Sequence, residues 1–276
     1  MRTALLTTAA LIGFAANSLL TRGALGHGWS DAPAFTIIRL ATGAVTLAVL
    51  VRARTRPPAE HGRWMSALAL AGYAVAFTLA YTRIGAGIGA LLLFGAVQVT
   101  MITTGLLRGE RPLGRDWLSV GLATAGLAWL TLPGAAAPNL VGALLMLAAG
   151  ACWGAYSLAG RSSRDPLAAT SGNFWRATIL GTAALVFLMD TSTLTWRGAL
   201  LAAVSGSLAS GVGYTLWYAA LPSLSAWRAA LLQLAVPVIT ALAASFLLAE
   251  AIPSRLLVAT VLVFVGVLLS LPSGRR

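Results

Sequence analysis

The chain has 276 residues, of which 58% are apolar and only 9% charged, and its mean hydropathy is +0.85. A soluble domain carries about a quarter charged residues, so this composition excludes one. The net charge of +12 comes from arginine alone, since the sequence holds no lysine. The arginines collect in short loops between apolar runs, which is the pattern that orients membrane proteins rather than one that grips nucleic acid.

The apolar residues come in ten packets, each close to the roughly 20 residues needed to cross a bilayer as a helix. In chain order they predict helices over 3–22, 33–51, 65–83, 88–107, 117–133, 140–160, 168–189, 198–220, 226–249 and 255–271. The first packet begins like a secretory leader. It runs past Asn17 and Ser18 to Leu20, beyond a leader's apolar core of about 7–15 residues, and is read as a retained span. Gly26, Gly28, Pro57-Pro58, Pro112, Pro133, Pro138, Pro166, Pro222, Pro253 and Pro272 fall at predicted ends, where turn residues belong. Pro237 alone sits inside a predicted helix.

Orientation follows from the loops. With the N-terminus cytoplasmic, Arg2, Arg52, Arg54, Arg56, Arg63, Arg108, Arg111, Arg115, Arg161, Arg164, Arg275 and Arg276 lie inside, twelve in all. Arg22, Arg83, Arg197 and Arg255 lie outside, which is four. Both termini are therefore expected in the cytoplasm and the chain in the cell's inner (plasma) membrane.

The second half echoes the first. Phe14 to Arg22 aligns with Trp153 to Arg161, Ile38-Arg39-Leu40 with Trp175-Arg176-Ala177, Phe77 to Tyr81 with Tyr214 to Tyr218, and Glu110 with Glu250. The four pairings keep one order at nearly constant spacing, which is the mark of internal duplication. Five spans per repeat is an odd number, so the repeats insert upside down relative to each other. The expected fold class is thus an all-α integral membrane protein of ten transmembrane helices, built as two inverted five-helix repeats over 1–134 and 138–276. That design belongs to transporters, which rock one repeat against the other.

Polar and aromatic side chains within spans face protein or water rather than lipid. Tyr73, Phe77 and Tyr81 recur every four residues and form one helical stripe, and Ser210, Tyr214 and Tyr218 repeat it, joined by Trp217. Phe14, Asn17, Phe94, Gln98, Met101, Trp153, Tyr156 and Gln233 complete the candidate substrate-binding set. Belt or packing roles are the alternative for the aromatics, above all for Tyr81 and Tyr218 near helix ends. Interhelical bonding is the alternative for Asn17 and Gln98. Gly85, Gly87, Gly89 and Pro237 are candidate hinges.

Arg39 and Arg176 are the charges well inside spans, and such charges are costly. Each could grip a carboxylate or bond loop carbonyls and lock its repeat. Repeat-related positions lie at opposite depths and cannot share one small ligand, so the structural role is favoured for both. All seven acidic residues and both histidines fall at span ends or in loops. With no buried relay or counter-ion for a cation, the expected substrate is neutral or zwitterionic, moved passively or with weak coupling. Other small metabolites or drugs, with proton coupling, are the alternative.

No base accompanies the membrane-embedded hydroxyls, so no catalytic residue is assigned. No charge ring or filter motif points to a channel. Cys152 stands alone and is read as packing, and no metal or cofactor is expected. The partners expected are a small-molecule substrate and the lipid bilayer; the oligomeric state is not set by the sequence, and a monomer suffices.

Trp153-Gly154, Arg39, Arg176, Pro237 and Gly109-Glu110-Arg111 together make the chain resemble, over nearly its whole length, the EamA family of the drug/metabolite transporter superfamily. The resemblance implies a ten-helix carrier with a substrate cavity near the pseudo-two-fold axis. Phe14-Ala15 stands where the family often has tryptophan-glycine, and Val97-Gln98 where proline is usual. The aromatic candidate set is most similar to that of the YddG-type aromatic amino-acid exporters, a resemblance that implies export of small zwitterionic metabolites, aromatic amino acids foremost.

Overall fold

A computed structural model describes residues 2–84, 86–111, 114–131 and 139–247, together with positions 258, 261, 262, 265, 266 and 269. The described residues are helical almost throughout and contain no strand. In order the helices are α1 (Arg2–Gly26), α2 (Ala32–Ala53), α3 (Trp64–Tyr81), α4 (Ala86–Leu107), α5 (Gly114–Thr131), α6 (Leu140–Gly160) and α7 (Pro166–Leu185). Then come α8 (Trp196–Val204), a π-helical segment (Ser205–Val212), α9 (Gly213–Ala220), α10 (Ala226–Gln233) and α11 (Ala235–Leu247). Among the described residues, six stretches are long and apolar enough to cross a membrane: Arg2–Gly26, Ala32–Ala53, Trp64–Tyr81, Leu140–Gly160, Trp196–Ser223 and Ala226–Ala244. Leu92–Leu107 is a shorter apolar helix. Most of the expected tenth span, 255–271, lies outside the described residues, as do Gly85 and Glu250.

Local chemistry explains the ends. Asp31 caps α2 by accepting from Ala34 N at 2.8 Å, with Pro33 in the first turn. Asp165 caps α7 in the same way, ahead of Pro166. Asn139, Thr195 and Ser225 cap α6, α8 and α10. An acceptor side chain at this position satisfies an otherwise orphan N–H. At the far end of α4, Gly109 takes φ +84°, and Glu110 N donates back to Gly105 O at 2.9 Å. This left-handed cap turns the chain sharply and aims Glu110 at the next bundle element.

Several predicted ends move, and the first span runs to Gly26, four residues past its predicted end. The seventh span stops at Leu185, four residues early, and passes into short 3-10 turns. The ninth breaks at Leu234 between α10 and α11. Pro237 has no N–H to give the carbonyl four residues back. That carbonyl belongs to Gln233, the last residue of α10.

Glycines mark the close approaches and reveal helix directions. α3 runs antiparallel to α6, since Gly72 abuts Cys152 while Gly142 abuts Ile84. α4 runs parallel to α6, with Gly89 against Met146 and Gly154 against Thr100. α1 runs antiparallel to the eighth span, with Gly13 against Ala209 and Gly23 against Leu201. α2 is antiparallel to α7 through Gly43–Phe174 and Gly181–Leu40, and parallel to the π segment, where Gly206 sits on the Arg39 carbonyl. α4 meets α10 head to tail, with Gly105 against Ala226. α3 also packs on α7, and α1 on α11. The core lies on the shared axis of these contacts and is rich in aromatic rings.

Candidate functional site

The centre of the bundle is an aromatic cluster with Trp153 of α6 as its hub. Its ring centroid lies 5.0 Å from Phe14, 5.1 Å from Tyr73, 4.6 Å from Tyr214 and 5.6 Å from Tyr156. Phe14 also meets Tyr214 and Trp217 edge-on at 5.7 and 5.6 Å. Phe77 bridges Tyr73 and Tyr81 at 5.2 and 4.7 Å. Tyr156 packs on Tyr218 at 4.8 Å. Phe14, Ser18, Tyr73, Phe77, Leu93, Phe94, Trp153 and Tyr214 surround a space of only about 10 Å³, room for roughly one water.

A polar network runs beside it. Asn17 Nδ2 donates to Tyr73 Oη at 3.1 Å, and Asn17 Oδ1 accepts from Ser205 at 2.6 Å and Ser210 at 3.4 Å. Tyr214 donates to Tyr73 at 3.3 Å. Arg39 donates through Nε to Ser210 at 3.2 Å and through Nη2 to Tyr214 at 3.1 Å. Serines five apart lie about 140° apart on an α-helix. The i→i+5 winding of the π segment swings both onto the face that meets Asn17, and such segments recur at functional sites.

A second layer joins α4, α6 and the ninth span. Trp153 Nε1 donates to Gln233 Oε1 at 2.5 Å, and Gln233 Nε2 donates to Ala229 O at 3.1 Å and reaches Met101 Sδ at 3.4 Å. Trp217 Nε1 donates to Ser157 at 3.1 Å, and Tyr218 donates to the Tyr156 carbonyl at 2.9 Å.

The structure therefore brings Phe14, Asn17, Tyr73, Phe77, Phe94, Trp153, Tyr156, Tyr214, Trp217 and, one step away, Met101, Tyr81, Tyr218 and Gln233 into one buried cluster. Gln98 points elsewhere: its Oε1 accepts from Thr124 of α5 at 3.2 Å, and its Nε2 has no hydrogen-bond partner among the described residues. Gly87 and Gly89 lie within α4 rather than in a turn, and a Cβ at Gly89 would come within 2.9 Å of the Tyr81 ring.

The two intramembrane arginines have different surroundings. Arg176 is half-buried and donates to the His61 and Gly172 carbonyls at 2.6 and 2.9 Å, with its guanidinium 5.3 Å from the Trp64 ring. Arg39 is fully buried and bonds no carbonyl. Its guanidinium lies 5.3 and 5.5 Å from the Tyr73 and Phe77 rings, which are chamber walls. Ser205 and Ser157 are not in the candidate set, because both fall off the four-residue spacing of Ser210, Tyr214 and Tyr218 and Ser205 sits in a run of small residues that reads as packing.

Both ends of the bundle are laced by hydrogen bonds to loops and caps, with ion pairs at one of them. At one, Asp165 holds Arg54 at 2.8 Å and accepts from Ala59 N at 3.0 Å, while Glu60 accepts from Ser163 and from Asp165 N. There also Arg161 pairs with Glu110 at 2.8 Å, and Glu110 receives the N–H groups of Ala226 and Trp227. The hydrogen bond from Arg54 leads the causes that hold the Asp165 carboxyl down to about 2. At the other end, Asp31 accepts from Asp190 N at 2.5 Å, and Thr195 bonds the Trp29 carbonyl through N and Oγ1 at 2.9 and 3.0 Å.

Long apolar helices around a buried core of aromatic and hydroxyl groups define a polytopic membrane protein. Residues 140–271 match the EamA-like transporter family. Over 98% of its length the chain is 53% identical to "Uncharacterized protein PA1977" of Pseudomonas aeruginosa, of which it covers 94%. The fold is similar to that of a protein of known crystal structure at TM-score 0.78 and 19% identity, covering 95% of this chain and 98% of the other. This EamA-like domain in the second half of the chain implies a membrane transporter of small solutes.

Proposed function

We propose that the protein exports small zwitterionic metabolites, aromatic amino acids foremost, by alternating access through the Trp153-centred chamber. Two inverted five-helix repeats of the YddG type would rock about that chamber, with both termini on the cytoplasmic side of the inner membrane. The reading rests chiefly on one observation. Trp153, Phe14, Tyr73 and Tyr214 surround a space edged by the hydroxyl network of Asn17 and Ser210. Rings offer an apolar, stackable surface, and hydroxyls and amides offer the few polar contacts a small ligand needs.

The packing pattern supports inversion. α6 lies on α3 and α4, while α1 lies on the eighth and ninth spans; α2 pairs with α7 and α4 with the ninth span. Exchanging the halves maps this set onto itself. The caps follow suit, with the loop after α2 bonded to the cap of α7 through Ala59, and the loop after α7 bonded to the cap of α2 through Asp190. Glycine contacts such as Gly142–Ile84 and Gly206–Arg39 let helices approach with little side chain to displace. That geometry suits a rocking carrier.

Counterflow in proteoliposomes tests the proposal. Labelled tryptophan, phenylalanine and tyrosine are expected to exchange, and threonine and homoserine are not. Exchange of the small polar amino acids without the aromatic ones would contradict it.

A further inference from the structure

Arg39 is a buried cation without an anion. Its side chain is fully enclosed, and its Nη1 has no hydrogen-bond partner among the described residues. Its two bonded acceptors, Ser210 and Tyr214, are neutral hydroxyls. Beyond them the donations lead to Tyr73 and Asn17, again neutral. Six acidic residues, Asp31, Glu60, Glu110, Asp116, Asp165 and Asp190, lie at helix ends or in loops of the described chain, and none is bonded to Arg39. Glu250 is outside the described residues.

A dehydrated charge is expensive unless paired and fully hydrogen-bonded. Removing water from a guanidinium and leaving one nitrogen unused puts a positive potential at the chamber wall. The Tyr73 and Phe77 rings offset part of it by facing the cation, but no group discharges it. An arriving carboxylate would, since a guanidinium can take it with two parallel N–H···O bonds. Tyr73 and Tyr214 border both the chamber and Arg39, so a ligand entering among the rings meets the cation after displacing one phenol.

We infer that Arg39 is the anchor for the carboxylate of the transported solute, with Tyr214 and Ser210 holding its place while the site is empty. The inference deepens the transport reading above and rests on it for the site's location. It assigns the repeat-related arginines different work. Arg176 ties α7 to the His61 loop, and Arg39 selects cargo. It also sets a sign: acids and zwitterions enter, and amines lacking a carboxylate are repelled.

The test uses wild-type protein in liposomes preloaded with tryptophan and supplied with labelled tryptophan. Indole-3-propionate keeps the carboxylate and lacks the amine, while tryptamine keeps the amine and lacks the carboxylate. Indole-3-propionate is expected to compete and tryptamine is not. Arg39→Gln should weaken apparent tryptophan affinity about 10- to 100-fold, the range for a lost charged hydrogen bond, and Arg39→Lys should fall between. Equal competition by tryptamine, or wild-type affinity in Arg39→Gln, overturns the inference. Because Arg39→Gln also breaks buried bonds and lowers stability, the competition assay on wild-type protein stands without any variant. If wild-type protein exchanges no amino acid, the transport reading fails separately. Thermal unfolding of the detergent-solubilised wild type then decides: stabilisation by indole-3-propionate but not tryptamine upholds the anchor, and any other pattern rejects it.

Discussion

Trp153 gives its indole N–H to Gln233 at 2.5 Å, and this one bond ties the aromatic hub to the place where the ninth span breaks. Gln233 is the last residue of α10, and its carbonyl is the one Pro237 cannot serve. Three residues that looked independent in the sequence thus form one device, in which movement at the break is felt at the hub.

Trp153→Phe keeps most of the ring and removes the donor. It leaves Gln233 Oε1 buried without this partner, which should cost about 1–3 kcal/mol. Thermal unfolding in detergent is expected to show the loss, and adding Gln233→Leu should recover part of it. Additive losses in the double variant would mean the two residues are not coupled.

Gly206 is a close-approach position, since a Cβ there would press on the Arg39 carbonyl and Thr42. Gly206→Ala should destabilise by about 1–3 kcal/mol through overpacking and slow counterflow. Gly95, with nothing near its Cβ position, is the control: Gly95→Ala should be neutral or stabilising by up to about 1 kcal/mol. Equal melting temperatures for the two variants would refute the packing account.

Asp165 titrates low because Arg54 donates a hydrogen bond to it, and its cap bonds to Ala168 and Ala59 help. Its folded value lies below the unfolded one, so the stabilisation is complete above about pH 4 and drains as pH falls towards 2. Melting temperature measured from pH 5 to pH 2.5 should drop more steeply for wild type than for Asp165→Asn. Parallel curves would exclude this pair as the cause.

Glu110 accepts the Ala226 N–H at 3.1 Å and pairs with Arg161 at 2.8 Å, so it holds the start of α10 to the end of α6. Glu110→Ala should raise hydrogen exchange at the amides of 226–228 roughly tenfold, one unit of log protection for about 1.4 kcal/mol of local opening. Unchanged exchange would assign the anchoring to the Ser225 cap alone.

Sidedness is tested with single cysteines in a Cys152→Ala background. Ala59→Cys and Arg108→Cys should react with an impermeant maleimide only from the cytoplasmic side, and Thr193→Cys only from outside. Labelling of Arg108→Cys from outside would reverse the orientation and undo the repeat argument.

Much of the fold was legible because membrane spans are written in composition. Runs of about 20 apolar residues, parted by proline and glycine, locate helices without reference to any partner. The aromatic candidates were legible too, since Tyr73, Phe77 and Tyr81 share one face by spacing alone.

What the sequence could not decide is how those helices wind locally and where long side chains end. A π turn at 205–212 carries no propensity signature, yet it alone brings Ser205 and Ser210 together at Asn17. Gln98 and Asn17 are both buried amides, and only the neighbouring helices turn one towards Thr124 and the other towards the chamber. Arg39 and Arg176 occupy matching positions in the two halves. A guanidinium reaches several ångströms from its backbone, and packing sent one to a loop carbonyl and the other into the core.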